Sequence, residues 1–388
     1  MKREIYLDNS ATTPLSDVAR ASVTEMLSVF GNPSSLHSLG KEAADRVESA
    51  RASILRALGV RPRQGHLFFT SCGTEASSLA LFGTAFAKSR RDATRILTTD
   101  SEHPSVARVM EALEADGFEV VRIGTKNGIL DMDAVRAAMD KKILLASFML
   151  VNNETGAIYP VKEAFSLIHQ KYPDAVTHCD AVQGFLKVPF TPATLDADLI
   201  SISAHKLHAP KGIGALYVSD RMIKSKRITP FLLGGGQESG MRSGTENTIG
   251  IAAFGAVVAD TFPRRAEIIE RLTTLREYAE SKLATMDVRI NRPKGERAPH
   301  ILHITLPQIK SETMLHHLSS FGIYVSSGSA CSSHASQPSS TLLAFGLTAA
   351  EADCSLRISL SEYNTSEDID ALCDALSDGL ARLVRIKR

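Results

Sequence analysis

Between residues 66 and 220, short apolar runs recur with amphipathic stretches between most of them: HLFFT, RILTT, FEVVRI, ILLASFML, AVTHCD, LISIS and GALYVS. Strands that alternate with helices build a largely parallel sheet with helices packed on it. ILLASFML and LISIS are apolar nearly throughout, as strands covered on both faces must be. They predict the core of a large α/β domain. After Gly255 the pattern changes, and a charged helix is expected from about Pro263 to Met286, with Ile268, Ile269, Leu272, Leu275 and Leu283 near a 3.6-residue period. Strand-like ILHITL, IYVSS and SLRISL follow, then a closing helix from Ser366. That order predicts a smaller α+β domain.

The chain's 388 residues suffice for these two units at about 150 residues per domain. Lys and Arg total 44 against 43 Asp and Glu, a net charge of +1, with charged residues at 22% and apolar ones at 44%. This excludes a disordered chain and offers no basic stripe for nucleic acid or anionic lipid. A small-molecule substrate is expected. No apolar run approaches the roughly 20 residues needed to span a bilayer, and MKREIYLDNSATTP lacks the apolar stretch of a secretory signal. The expected location is cytoplasmic. The five cysteines at 72, 179, 331, 354 and 373 form no CxxC pair, so neither a disulfide framework nor a zinc site is expected. Four of them are expected in apolar cores. Cys331 stands apart in the small, polar run SGSACSSHASQPSS, 327–340, a loop-like stretch of a length that usually carries function.

SCGTEA follows the strand HLFFT and opens the apolar helix SSLALFGTAF, which places Gly73 and Thr74 at a helix N-terminus where free N–H groups favour an anion. By itself this is equally a threonine cap with a glycine turn. Open α/β sheets bind ligands at the carboxyl ends of their strands. AVTHCD ends there at Asp180 with Gln183 three residues on, and LISISAHK ends at Ser203, His205 and Lys206. A lysine closing an apolar strand becomes a better imine-forming amine through desolvation, unless a carboxylate or a path to solvent makes it structural. An anion site, a buried amine and a buried acid together supply what pyridoxal phosphate requires. His103, in SEHPSV after RILTT, is placed to lie over the cofactor face, although a lone histidine there more often caps a helix.

The motifs YLDNSATTP, FGNPSS, TSCGTE, EH at 102–103, VNNETG, HCDAVQ, SAHK, APKG, MRSGTEN and SSGSACSS, in this order and spacing, resemble the cysteine desulfurases of the NifS and IscS type, within the class V aminotransferase group. The resemblance runs over essentially the whole chain. It implies a fold type I pyridoxal phosphate enzyme, with a large domain of 16–262 and a small domain formed by 1–15 and 263–388 that carries the cysteine loop. Lys206 matches the lysine that bonds the cofactor aldehyde, Asp180 the partner of the pyridine nitrogen, and His103 the stacking ring. Gln183 and Asn153 fall near the ring hydroxyl. Gly73, Thr74, Ser203 and His205 would hold the phosphate, joined by Thr245 from the partner subunit of a homodimer. Arg357 matches the guanidinium fork for the substrate carboxylate, and Cys331 the nucleophile that takes sulfur as a persulfide. The implied reaction turns L-cysteine into L-alanine, with the sulfur passed to an iron–sulfur scaffold, a tRNA-thiolation factor or another acceptor.

The sequence departs from that pattern in three places: Cys72 in SCGT, Ala204 in SAHK, and SLSE, which puts Ser361 and Glu362 where glycine and arginine are common. Other readings of the same residues are a selenocysteine lyase or aminotransferase on this fold, an acyl hydrolase built on Cys331 and His334, and a non-catalytic scaffold.

Overall fold

The computed structural model describes residues 4–61, 63–88, 93–328 and 338–385. Among them twelve strands form three sheets. A two-residue strand β1, Ile5–Tyr6, comes first. The seven runs expected as strands then appear as β2 Gly65–Thr70, β3 Arg95–Thr99, β4 Glu119–Ile123, β5 Ile143–Met149, β6 Val176–Asp180, β7 Leu199–Ser203 and β8 Gly214–Ser219. They pair in the order β2-β8-β7-β6-β5-β3-β4, parallel except that β8 runs antiparallel to both neighbours.

Both faces of this sheet are covered, which explains its apolar strands. Leu199 and Leu216 face one buried layer with Leu79, Val106 and Met110 of the helices Gly73–Ala85 and Pro104–Ala115. Ile200 and Tyr217 face another, with Val47 and Ile54 of the helix Ser38–Ala57, Phe165, and Phe254 and Val257. All of this lies within the α/β class read from the sequence.

The remaining strands are β9 Arg289–Ile290, β10 Ile301–Thr305, β11 Ile323–Tyr324 and β12 Ser355–Ser359. β12, β10 and β9 form an antiparallel sheet, whereas β11 pairs in parallel with β1. Of IYVSS, only the first two residues enter a strand. A separate apolar core lies on these elements, drawing Leu302 and Ile304 from β10, Leu356 and Ile358 from β12, and Ile369, Leu372 and Leu376 from the closing helix Ser366–Arg382. Leu7 is buried in it, so the N-terminal strip belongs physically with the C-terminal part of the chain. Most of the cysteine loop, residues 329–337 including Cys331, lies outside the described residues; the helix Ser340–Phe345 begins at its end.

The expected charged helix is longer than its sequence signals. It runs from Thr248 to Leu283 with Pro263 inside it. Its first part, TIGIAAFGAVVAD, buries Ile251, Phe254, Val257 and Val258 in the core of the large sheet, and its later part buries Ile268, Leu272, Leu275 and Leu283 in the other core. Proline reads as a helix start because its missing N–H costs nothing in the first turn. Here packing at both ends carries the helix through it.

Gly255 lets this helix lie against the helix Ser38–Ala57: a Cβ at 255 would stand 2.4 Å from both Cα and Cβ of Ala50. Gly255→Val should therefore lower unfolding free energy by about 1–3 kcal/mol, the usual cost of overpacking. Chemical denaturation followed by circular dichroism checks this, and an unchanged midpoint would show that the helices separate freely.

Candidate active site

The strand ends of the large sheet and the N-terminal strip enclose a cavity of about 200 Å³. Its floor is set by β6 and β7. Asp180, the last residue of β6, is buried, and its Oδ1 accepts from the Val182 N–H at 3.0 Å. Burial pushes its carboxyl up to about 6, opposed by that hydrogen bond and by Lys206. Lys206 ends the short 3₁₀ turn that follows β7, and its Nζ donates to the carbonyls of Ser10 and Ala11, both at 2.7 Å. Gln183 Nε2 donates to the same Ser10 carbonyl at 3.0 Å. The sequence reading assigned no role to Ser10 and Ala11, whose contribution comes from backbone oxygens.

One wall is the start of the helix Gly73–Ala85. Cys72 is its N-cap and makes no side-chain cap, so the first N–H groups at Gly73 and Thr74 are left to the cavity. A Cβ at Gly73 would come within 3.0 Å of Val182 Cγ2 and 3.2 Å of Ser203 Cβ. A larger residue here would require Val182 or Ser203 to shift, so glycine lets the helix end lie close against β7. Ser203 Oγ beside it is buried without a hydrogen-bond partner among the described residues. Cys72 itself is half-buried and lines the cavity, unlike the apolar core position expected for it. The cap position turns its side chain out of the core; Cys179, Cys354 and Cys373 are buried as expected.

Two histidines lie in the same cavity. His103 caps the helix Pro104–Ala115, its Nδ1 accepting from the Ser105 N–H at 3.1 Å, so capping and lining are one placement. Burial first, then Lys206 and Arg357, push its imidazole down to about 4, and the ring is neutral at physiological pH. His205 pairs through Nδ1 with Thr12 Oγ1 at 3.1 Å and is likewise pushed down to about 4, chiefly by burial.

Arg357 reaches the cavity from β12. It is almost fully buried, donating from Nη1 to the Asn153 carbonyl at 3.0 Å and from Nη2 to Asp8 Oδ1 at 2.7 Å. Asp8 was not foreseen, although it sits in the YLDNSATTP motif. The Arg357 backbone exchanges two hydrogen bonds with Ser326, N–H to O at 2.7 and 3.1 Å, which moors the chain leading to Cys331 beside the guanidinium. On the other flank Ser339 Oγ donates to Glu154 Oε2 at 2.8 Å. Thr245 is exposed and does not line this cavity.

A second acid was also missed. Glu102 is buried beneath His103, with Oε1 accepting from Thr99 Oγ1 at 2.8 Å and from the Met149 N–H at 2.9 Å, while Oε2 has no partner among the described residues. Burial, strengthened by Asp180, pushes it up to about 8 despite those bonds. A glutamate three residues past an apolar strand and next to His103 was the available signal.

The sheet, with an amine, an acid and an open helix N-terminus at its strand ends, defines an α/β protein of the open-sheet class with its ligand site at the carboxyl edge. The chain belongs to the class V aminotransferase family, whose model matches residues 5–372. It is similar to the cysteine desulfurase IscS of Dictyoglomus turgidum (strain DSM 6724 / Z-1310), 39% identical over 387 residues that cover 99% of this chain and 96% of the relative. A solved NifS-like protein superposes with a TM-score of 0.90 at 33% identity, covering 98% of this chain and all of that one. SspA in complex with cysteine superposes with a TM-score of 0.78 at 30% identity, covering 94% of this chain and all of that one.

Glu102 binds its proton more tightly in the folded chain than in the unfolded one, where its value is the ordinary 4.5. Its contribution to stability is complete below about 4.5 and is lost as pH rises through about 8. Glu102→Gln keeps an uncharged acceptor, so the fall in melting temperature between about pH 6 and about pH 9 should shrink relative to the unmodified protein. An equal fall in both proteins would mean that Glu102 ionises without cost.

Proposed function

We propose that this chain is a pyridoxal phosphate-dependent cysteine desulfurase that converts L-cysteine to L-alanine and takes the sulfur as a persulfide on Cys331. The observation that carries this reading is the convergence of Lys206, Asp180, the Gly73 helix start and Arg357 on one cavity, in a chain alike over its full length to proteins named cysteine desulfurase. The residues fit the cofactor: the unpartnered Ser203 Oγ and the close approach permitted by Gly73 form a cradle for a phosphate. When bound, pyridoxal phosphate supplies an electron sink that weakens the bonds at the substrate's Cα and allows sulfur to leave.

The chain's own groups do the rest. Gly73, Thr74, Ser203 and His205 hold the phosphate, with Thr245 of the partner subunit in a homodimer. Asp180 would hold a proton at the pyridine nitrogen, and neutral His103 would supply the ring that stacks on the cofactor. Gln183 and Asn153 stand near the ring hydroxyl. Lys206 would be the amine that holds the cofactor through its aldehyde, and its Nζ is placed to take up and return the substrate's Cα proton. Arg357 takes the substrate carboxylate with the part of its fork not held by Asp8. The Cys331 thiolate attacks the substrate sulfur, the carbon–sulfur bond breaks toward the substrate carbon, and a proton restores alanine. Cysteine and one thiol thus become alanine and one persulfide, with no added oxidant. The two apolar cores support a large domain of 16–262 and a small one of 1–15 with 263–388. The enzyme is cytoplasmic, and its persulfide goes to a sulfur acceptor such as an iron–sulfur scaffold or a tRNA-thiolation factor.

Lys206→Ala should abolish turnover and the lysine-dependent visible absorbance while phosphate contacts still retain some cofactor. A borohydride-fixed lysine adduct in that variant would remove Lys206 from its role. Cys331→Ser should keep the colour of the unmodified enzyme yet release no alanine and gain no sulfur atom by mass spectrometry after incubation with cysteine. A selenocysteine lyase or an aminotransferase that has no need of this thiol would stay active on its own substrate in Cys331→Ser, and a sulfur adduct mapping to Cys72, Cys179, Cys354 or Cys373 would defeat the mechanism.

A further inference from the structure

Lys206 lines a second, smaller cavity behind the first. This one measures about 30 Å³, room enough for a water molecule. It lies where the two cores meet, walled by Leu186 and Leu207 on one side and by Ile268, Leu272 and Leu360 on the other. Lys187 and Glu362 also line it. The Lys187 stem is half-buried, but its Nζ is fully buried and has no hydrogen-bond partner among the described residues. A buried ammonium without a partner is costly, and the roles proposed for the site make no use of it.

The groups acting on Lys187 are few. His205 and His208 are pushed down to about 4 and His300 well below its ordinary value, in each case mainly by burial, with Lys187 adding to the effect, so all three are neutral at physiological pH. The charged neighbours are Lys206 and Glu362. Burial foremost pushes the Glu362 carboxyl above its ordinary value and Asp260 adds to this, while Arg264, Lys187 and Arg271 favour its charged form. Burial foremost pushes Lys187 down to about 7, Lys206 adds to this, and Glu362 resists it. Two amines that line one small pocket titrate as a pair.

We propose that Lys187 is a positioning residue for Lys206: across the small cavity the two amines carry a single positive charge, which Glu362 draws onto Lys187, leaving Lys206 an uncharged nucleophile. The hydrogen bonds of Lys206 agree with this, since a neutral amine keeps the two N–H groups that the Ser10 and Ala11 carbonyls accept. Glu362 replaces the arginine common at this point of the desulfurase pattern, and a cation there would instead push the proton off Lys187. The inference rests on Lys206 being the reactive amine, and that reading fails separately, in the Lys206→Ala experiment.

Trace acetylation of the full chain, freed of cofactor and read peptide by peptide by mass spectrometry across pH, reports the free-amine fraction of Lys206 without turnover. Lys187→Met removes the like charge, and the Lys206 midpoint should rise by about one pH unit or more. Lys187→Arg keeps a permanent charge, so its midpoint should stay at or below that of the unmodified protein. Glu362→Gln should lower Lys206 reactivity at neutral pH, by less than Lys187→Met does. A midpoint unmoved in Lys187→Met would overturn the proposal, as would equal shifts in Lys187→Met and Lys187→Arg, which would mark a packing effect. Unchanged reactivity in Glu362→Gln would remove Glu362 as the counter-ion.

Discussion

The N-terminal strip from Leu7 to Pro14 is the clamp on which the rest of the site depends. Leu7 is buried in the core of the small sheet, and Asn9 Nδ2 donates to the Ser359 carbonyl at 2.9 Å. A few residues on, Ser10 and Ala11 give their carbonyls to Lys206 and Gln183, and Thr13 binds the backbone of His205 and His208. A strip anchored in one core thereby positions the amine at the strand ends of the other. Its backbone oxygens need no particular side chains, only small ones that leave the carbonyls exposed, which suits the run Ser10-Ala11-Thr12-Thr13.

Around that clamp the chain keeps several ionisable groups away from water, and each is handled differently. Arg357 is paired directly with Asp8 and with a carbonyl. Asp180 keeps one oxygen on a backbone N–H and presents the remainder to the cavity. Glu102 has no cation beside it among the described residues and holds its proton instead. The imidazoles of His103 and His205 are held neutral by burial, so they act as shaped polar surfaces rather than charges. A site assembled this way concentrates its positive charge at Arg357 and the open helix start, where an anionic ligand is received.

The large sheet was legible because its strands are covered on both faces and so read as unbroken apolar runs; all seven appear where the runs stand. Lys206 was legible for the same reason, as a cation that ends such a run. The long helix was misread at its start because TIGIAAFGAVVAD is apolar on most sides and carries little periodicity, while Pro263 imitates a first-turn signal. Ser10 and Ala11 act through main-chain atoms, which leave no trace in side-chain pattern. Asp8 and Glu102 stood inside quoted motifs, but an acid's partner depends on which distant strand comes to lie beside it. Cys72 was placed in the core because it joins the apolar strand HLFFT to an apolar helix, whereas the cap geometry turns it toward the cavity.

The passage of one helix through both cores has a mechanical consequence. At 36 residues it is a rod about 54 Å long, with Phe254 fixed in one core and Leu283 in the other. Its weakest point under bending is Pro263, which supplies no N–H to the backbone ladder. The guanidinium of Arg357 and the amine of Lys206 are therefore mounted on bodies coupled by a beam with a single soft joint, and a change in the distance between them is resisted everywhere along it except there.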